Sequence, residues 1–397
     1  MINGSTAAPL QHAWFEDNIR GTPLTAFISG TFSVAIFFVL SGFVLSVGFF
    51  QSRKLAIVRK LAVKRYLRLM LPALVSVLIA YMFIKLNLYQ GSAARLITQS
   101  SALPAEWVHN PNLIQALHEG LAGIFLQGPV DNYNSVLWTM KYEFIGSFII
   151  FAFLMLFGKS SKRWLIHAVL VAALYSTWYL GLVLGMILAD LFVHRRVVFE
   201  NFKQGYYYLL LGSGIVMGAY PGATSAGTMY DHLNFQWLTY EQNQAIYTIF
   251  GAVCVVVAVL NIKFLKLFMA SKVMSKIGSY TYSLYLVHQP LVYIVGVGLF
   301  MVLSRHFGYN RSVFLSFGLT IPVVILATLL FYRIIELPSM RVAAYFEEVY
   351  SGRREINFQL LKEKFSTIRT QVWLSGAYLR HVWSTRFSYN DIETEEL

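Results

Sequence analysis

Residues 135–157 read SVLWTMKYEFIGSFIIFAFLMLF, a stretch long and apolar enough to cross a bilayer. It nevertheless contains Glu143. An ionisable side chain in hydrocarbon costs about 2.5–3.5 kcal/mol on insertion scales, so we expect this carboxylate to face a protein-lined polar cavity. Residues 279–290, SYTYSLYLVHQP, repeat the signal with His288 at the start of another apolar run.

The composition places the whole chain in a membrane. Of its 397 residues, 57% are hydrophobic and 13% are charged, and the mean hydropathy is +0.56, which excludes an ordinary soluble domain. The net charge of +13 comes from basic residues beside apolar runs, which favours a membrane surface over nucleic acid as the partner. The single cysteine, Cys254, excludes an intrachain disulfide.

Apolar windows and loop charges predict an all-α, polytopic transmembrane bundle of about nine spans. Windows start near Ile28, Leu69, Ser135, Tyr206, Ala245, Tyr280 and Ser312, and Trp164–Val193 is long enough to be two short spans hinged at residues 176–178. Loop 53–68 contains seven Lys and Arg residues, whereas connection 87–134 contains only Arg95. The positive-inside rule therefore predicts a multi-pass protein with its amino terminus outside and its carboxyl terminus in the cytoplasm.

This pattern divides the chain into a non-spanning segment (1–27), a transmembrane domain (28–345) and a cytoplasmic tail (346–397). Beyond Arg354, the tail has apolar residues at helical spacing among basic ones. It is predicted to be an amphipathic helix, either on the inner membrane surface or packed on the cytoplasmic loops.

Polar side chains recur at helical spacing in two spans. They are Ser135, Thr139, Glu143 and Ser147 in one, and Thr281, Tyr285 and His288 in the other. Such stripes indicate a shared interior surface, which is either a cavity with acid/base groups or polar contacts between helices. From the predicted starts of the spans, Glu143 lies about 12 Å below the outer face and His288 about 12 Å from the inner one. The two therefore need not be hydrogen-bonded to each other, and Pro290 is expected to kink its helix.

Two further pairs stand in the apolar runs. Ser41 and Gly42 are small residues that allow close helix approach. Arg65 and Arg68, one turn apart before Pro72, either anchor the chain to lipid headgroups or bind a cytosolic polyphosphate, since paired guanidinium groups fit phosphate oxygens.

Five motifs follow one another along the chain: FFVLSGF (37–43), RYLRLMLP (65–72), LWTMKYEF (137–144), IGSYTYSLYLVHQP (277–290) and IELPSMR (335–341). In this order and spacing they resemble the acyltransferase 3 family, and VLN (259–261), which leads into the fourth motif, is similar to fungal members. The resemblance covers about residues 28–345, so the transmembrane domain is interpreted as acyltransferase 3-like. That family consists of membrane O-acyltransferases, typically with about ten spans.

The resemblance implies transfer of an acetyl or other short acyl group from cytosolic acyl-CoA to a hydroxyl of a carbohydrate, lipid or secondary metabolite. Such an enzyme is an acyltransferase that transfers groups other than aminoacyl groups. Arg65 and Arg68 would bind the donor, His288 and Glu143 would be catalytic, and the motif residues Ser41, Gly42, Trp138 and Tyr285 would shape the cavity. The expected partners are the lipid bilayer, acyl-CoA as co-substrate and the hydroxyl-bearing acceptor; no nucleic acid, bound cofactor or metal is expected.

One family motif does not match. The family's first span has an arginine followed eleven positions later by a proposed catalytic histidine, but position eleven after Arg20 is Thr31. His12 is the nearest substitute. The chain is therefore interpreted as lacking the first transmembrane helix of an active enzyme, or as a catalytically impaired member that binds donor without turnover. A polytopic transporter is the alternative from another functional class.

Overall fold

A computed structural model describes residues 19, 21–100, 103–104, 106–108, 110–128, 133–194, 202–222 and 227–353. The helices in these ranges are α1 (Gly30–Ser52), α2 (Leu55–Lys85), α3 (Gly91–Thr98), α4 (Leu113–Leu126), α5 (Ser135–Leu156), α6 (Arg163–Leu174), α7 (Tyr179–His194), α8 (Gln204–Gly218), α9 (Tyr240–Asn261), α10 (Lys263–Met269), α11 (Lys272–Leu303) and α12 (Tyr309–Tyr350). Short π-helical segments interrupt α4, α11 and α12 at Glu119–Gly123, Val292–Gly296 and Tyr332–Glu336.

The predicted helical bundle is confirmed. Helices α1, α2, α5, α9, α11 and α12 are long and apolar enough to cross a membrane. The shorter α6, α7 and α8 lie where the sequence predicts the other three spans. Two starts were predicted too late, because α2 begins at Leu55 and α11 at Lys272. Their first turns are rich in lysine, arginine and serine, which lower hydropathy without preventing helix formation.

Polar caps define several helix starts. The Ser29 side chain accepts a hydrogen bond from the Phe32 amide at the start of α1. Thr239 and Gln242 form a reciprocal capping box before α9, so two otherwise unpaired amides are satisfied. At the other end of α1, Arg53 adopts a left-handed conformation with φ 58°, which turns the chain sharply into α2.

The basic loops meet on one face of the bundle, as predicted. Arg53 donates to the Gly158 carbonyl oxygen at 2.6 Å and lies 2.7 Å from the ring of His194, which joins the start of α2, the end of α5 and the end of α7. Tyr282 bonds the Leu69 carbonyl, and Ser76 bonds the Leu286 carbonyl further along both helices. Helices α2 and α11 therefore run in the same direction and start on the same side, which we call the basic face.

The α6–α7 pair forms a hairpin whose two ends lie on the basic face. Arg163 at the start of α6 binds Asp190 near the end of α7 through two bonds, of 2.6 and 2.9 Å. The helices have 12 and 16 residues, so they are about 18 and 24 Å long. The chain turns between Leu174 and Tyr179, which confirms the predicted hinge at residues 176–178.

Helix α4 lies in the connection 87–134, for which the sequence analysis predicted no helix. It enters the bundle, because the Tyr66 hydroxyl donates to the Leu121 carbonyl at 2.7 Å and the Phe125 ring packs edge-on against Tyr66 and Phe144. Glu119 is buried and accepts a bond from the Tyr133 amide at 3.2 Å. This carboxylate lowers the hydropathy of the run and explains why an apolar window does not detect it.

Helices α1 and α7 cross in contact at two glycines. A Cβ on Gly42 would stand 2.0 Å from the Leu182 carbonyl oxygen, and one on Gly185 would stand 2.0 Å from that of Val39. No larger residue fits either position without moving the backbone. The close approach predicted at this pair is confirmed at Gly42, whereas Ser41 faces α5 and bonds Glu143.

Four predicted features lie wholly or mainly outside the described residues. His12 and Arg20 are among them, as is most of the predicted segment 1–27. The tail beyond residue 353 is also outside, whereas residues 346–350 continue α12 from the bundle.

Candidate functional site

The polar stripe of α5 lies inside the bundle. On α11, Gln289 bonds Ser135 and Tyr285 bonds Thr139. Glu143 bonds both Ser41 of α1 and Arg65 of α2, and Arg65 also bonds Ser147. These partners come from α1, α2 and α11. The stripe is therefore a polar seam that joins α5 to three neighbouring helices, and the predicted shared interior surface is present.

An ion pair lies at the centre of this seam. The Arg65 guanidinium contacts Glu143 Oε1, which also accepts a 2.5 Å bond from the Ser41 hydroxyl. Arg65 Nε donates to Ser147 at 3.1 Å. Glu143 is 2% and Arg65 9% exposed, so the two opposite charges neutralise each other away from solvent.

One oxygen of this cluster has no partner. Glu143 Oε2 is buried and accepts no hydrogen bond from the described residues. Leaving such an atom unpaired costs about 1–3 kcal/mol, so a donor on a bound molecule would be stabilised there.

The other predicted donor-binding arginine faces a different carboxylate. Arg68 is exposed and interacts electrostatically with Glu336, whose Oε2 accepts a 2.5 Å bond from Ser283. Glu336 is only 7% exposed. Tyr282 lies within electrostatic reach of both Glu336 and the Arg65–Glu143 pair, so the two arginine–carboxylate sets form one charged region. Glu336 lies within the fifth quoted motif but was not predicted as a site residue.

The side chain of His288 is fixed at one nitrogen. Its Nδ1 lies 3.0 Å from the Leu284 carbonyl oxygen, which accepts only if Nδ1 carries the proton. That tautomer leaves a lone pair on Nε2, which has no bond to the described part of the chain. The side chain is half-buried, beside the Tyr285 ring at 6.0 Å.

His288 lies at a different depth from the predicted one. Its neighbour Gln289 bonds Ser135, and Tyr285 bonds Val136 and Thr139, all at the first turns of α5. It is therefore near the side opposite the basic face, about two helical turns from Glu143. The error in the prediction arose because α11 begins eight residues earlier than its apolar window, at Lys272.

One predicted member of the polar stripe on α11 faces outward. Thr281 is exposed and bonds only the Gly278 carbonyl within its own helix, so the buried face of α11 includes Ser283 in its place. Trp138 packs edge-on against Trp178 in the α6–α7 hinge, with ring centroids 5.4 Å apart. Gly42, as described above, is a helix contact.

Sequence reasoning missed a polar cluster just before α5. The Asn134 amide donates to Ser76 at 2.7 Å and to the Leu286 carbonyl at 2.9 Å, while its buried Oδ1 finds no partner in the described part of the chain. Asn134 is fully buried. It immediately precedes the predicted span, and that position was the only available signal.

Within the described ranges, no three His, Cys, Asp or Glu side chains lie close enough to bind one metal ion. The acyltransferase 3 family model, which describes an acyltransferase domain, matches residues 6–333 of the chain. No curated protein and no solved structure gives a significant match.

Proposed function

The chain belongs to the acyltransferase 3 family, and we propose that it transfers a short acyl group, such as acetyl, from acyl-CoA to a hydroxyl of a carbohydrate, lipid or secondary metabolite. The family match over residues 6–333 carries this proposal, and the apolar helices agree with chemistry at a membrane. The positive-inside rule supports a cytoplasmic basic face, and in this proposal acyl-CoA enters from that side.

The reaction needs a proton acceptor and a positive environment. The acceptor hydroxyl oxygen attacks the thioester carbonyl, the new C–O bond forms, and the C–S bond breaks to release CoA. A base removes the hydroxyl proton, which finally resides on the CoA thiol. Donors near the carbonyl oxygen stabilise the negative charge of the tetrahedral intermediate.

We assign the base to His288. Its Nδ1–H is bonded to the Leu284 carbonyl, so the free Nε2 has the lone pair that general base catalysis requires. Its half-buried position near the opposite side suits an acceptor that approaches from outside or within the membrane.

Glu143 has a different role from proton transfer in this proposal. Its carboxylate already accepts from Ser41 and Arg65, so it holds the guanidinium in place. Its unpartnered Oε2 is the atom that accepts a hydrogen bond from a bound substrate.

Acyl transfer by purified protein in liposomes tests the function. The assay uses radiolabelled acetyl-CoA on the basic-face side and a membrane glycan and lipid extract as the source of acceptor. We expect His288→Gln to lower turnover about 100-fold or more, because general base catalysis contributes roughly 10²–10⁴. His306→Gln, at an exposed histidine near the start of α12, is the matched control and should leave turnover unchanged.

Each alternative has its own outcome. Wild-type protein that moves solute without releasing CoA would support a transporter. Wild-type protein that binds acyl-CoA but does not convert it to free CoA would support a catalytically impaired enzyme. If His288→Gln transfers acyl groups as fast as the wild type, His288 is not the base, but the proposed acyltransferase activity stands.

A further inference from the structure

A cavity with charged walls opens on the basic face, away from the seam. It has a volume of about 520 Å³ and lies between the first turns of α2 and the end of α12. Arg59, Lys60, Glu347, Tyr350 and Arg353 line it. We call it the basic-face pocket.

Cations outnumber carboxylates in this pocket. Glu347 is buried and contacts Arg353, Lys64 at 3.5 Å and Lys60 at 4.0 Å. Arg59 is exposed and has no partner among the described residues. The lining of the pocket has three cations and one carboxylate, a formal charge of +2, so a bound anion would meet a net positive site in which the Arg59 guanidinium is not already paired within the described ranges.

The backbone adds to this positive potential. The pocket wall includes Ala56 in the first turn of α2, a helix of 31 residues. The cap residue Lys54 makes no side-chain cap bond, and the first turn has no acidic residue. Amides at such a helix end favour a phosphate.

The arginines of the quoted motif have carboxylates beside them already. Arg65 contacts Glu143, and Arg68 lies in the field of Glu336. Arg59 has no such counter-charge and precedes Arg68 by about 14 Å along the same helix. Arg59 is therefore better placed than Arg65 or Arg68 to bind an anion from the aqueous side.

We propose that the basic-face pocket binds phosphate groups, and that these belong to the nucleotide end of the acyl donor. The second part rests on the proposed function. The exposed ring of Tyr350 in the pocket wall suits a ligand that carries a flat base as well as phosphates. An anionic lipid headgroup offers the same phosphate chemistry, so the experiment includes it as a separate probe.

Calorimetric titration of the full chain in detergent micelles tests the pocket. The probes are adenosine 3′,5′-bisphosphate, which has no thioester, and soluble inositol 1,4,5-trisphosphate. We expect Arg59→Gln and Lys60→Gln each to weaken binding of the bisphosphate about tenfold or more, since each removes a charge-assisted contact. Lys272→Gln, which removes an exposed cation at the start of α11, is the matched control and should change binding less than about twofold.

If Arg59→Gln and Lys60→Gln weaken binding of the trisphosphate but not of the bisphosphate, the pocket binds phosphate groups, but these do not belong to the acyl donor. No binding of either probe, or an equal loss in Lys272→Gln, would overturn the proposal. The bisphosphate cannot be turned over, so its binding is independent of catalysis.

Failure of the pocket and failure of the proposed function can be told apart. If the bisphosphate binds in the pocket but the protein transfers no acyl group, only the proposed function is rejected. Acyl transfer with an unchanged KM for acyl-CoA in Arg59→Gln rejects only the pocket.

Discussion

The Arg65–Glu143 pair should dominate the stability of the polar seam. In Glu143→Gln, the Arg65 guanidinium would stay buried without a counter-charge, and an amide NH₂ would replace the Oε2 that has no partner. Removing one partner of a buried pair costs about 3–5 kcal/mol in soluble proteins. Interhelical polar contacts in membranes measure less, so we expect the lower end, about 3 kcal/mol.

Removing both charges should be far less harmful. Arg65→Met combined with Glu143→Leu fills a similar volume without a buried ion, so the double variant should lie within about 1 kcal/mol of the wild type. Lys141→Gln, on the same helix as Glu143, changes a charge outside the pair and should cost no more than about 0.5 kcal/mol.

The cycle consists of the wild type, Arg65→Met, Glu143→Leu and the double variant. Unfolding in mixed micelles with a rising SDS fraction, followed by tryptophan fluorescence, gives their four free energies. If each single variant costs about 3 kcal/mol and the double variant about 1 kcal/mol, the coupling energy between the two positions is about 5 kcal/mol. Single variants that each cost under about 1 kcal/mol would refute the reasoning, as would a double variant destabilised by the sum of the singles.

Three further predictions concern the fold. Gly42→Ala puts a methyl group 2.0 Å from a backbone carbonyl oxygen of α7, so size-exclusion chromatography should show no monodisperse folded protein. Gly278→Ala meets open space and, in thermal unfolding, should be neutral or stabilising by up to about 1 kcal/mol. Arg163→Lys keeps the charge but loses bidentate geometry, so it should cost about 1–2 kcal/mol in the same unfolding assay; no loss would show that the hairpin does not depend on it. In a Cys-free background, Lys54→Cys and Asn87→Cys should react with an impermeant maleimide from opposite sides of the membrane, and labelling from one side would contradict the topology.

The general course of the chain could be predicted from sequence because hydropathy and loop charge act locally. The α6–α7 hinge and the basic face follow from the run Trp164–Val193 and from the lysines and arginines around Arg53. Helix ends were less predictable. Basic residues follow the first turn of α2, lysine and serine occupy the first turns of α11, and α4 contains the buried Glu119, so an apolar window misses these helix starts and α4.

The site was predictable only in part for a related reason. The spacing of Thr139 and Glu143 indicates one face of α5, and the structure confirms that face as interior. Which cation binds Glu143 depends on the packing of α2, 78 residues away in sequence, and no local pattern determines it. Thr281 has the right spacing on its helix but faces outward, because the phase of α11 is set by its contacts with α2.

Three of the quoted motifs meet around one turn of α2. Arg65 pairs with Glu143 from the third motif, and Arg68 faces Glu336 from the fifth. Each charge alone would be costly in a membrane, but opposite charges from different helices offset one another, so two arginines and two carboxylates form a nearly neutral set. The same ion pairing that lowers the free-energy cost of burying these charges also reduces the net positive charge available to bind a phosphate. This follows from charge balance alone and makes the basic-face pocket, with its excess of cations, the better place for an anionic ligand.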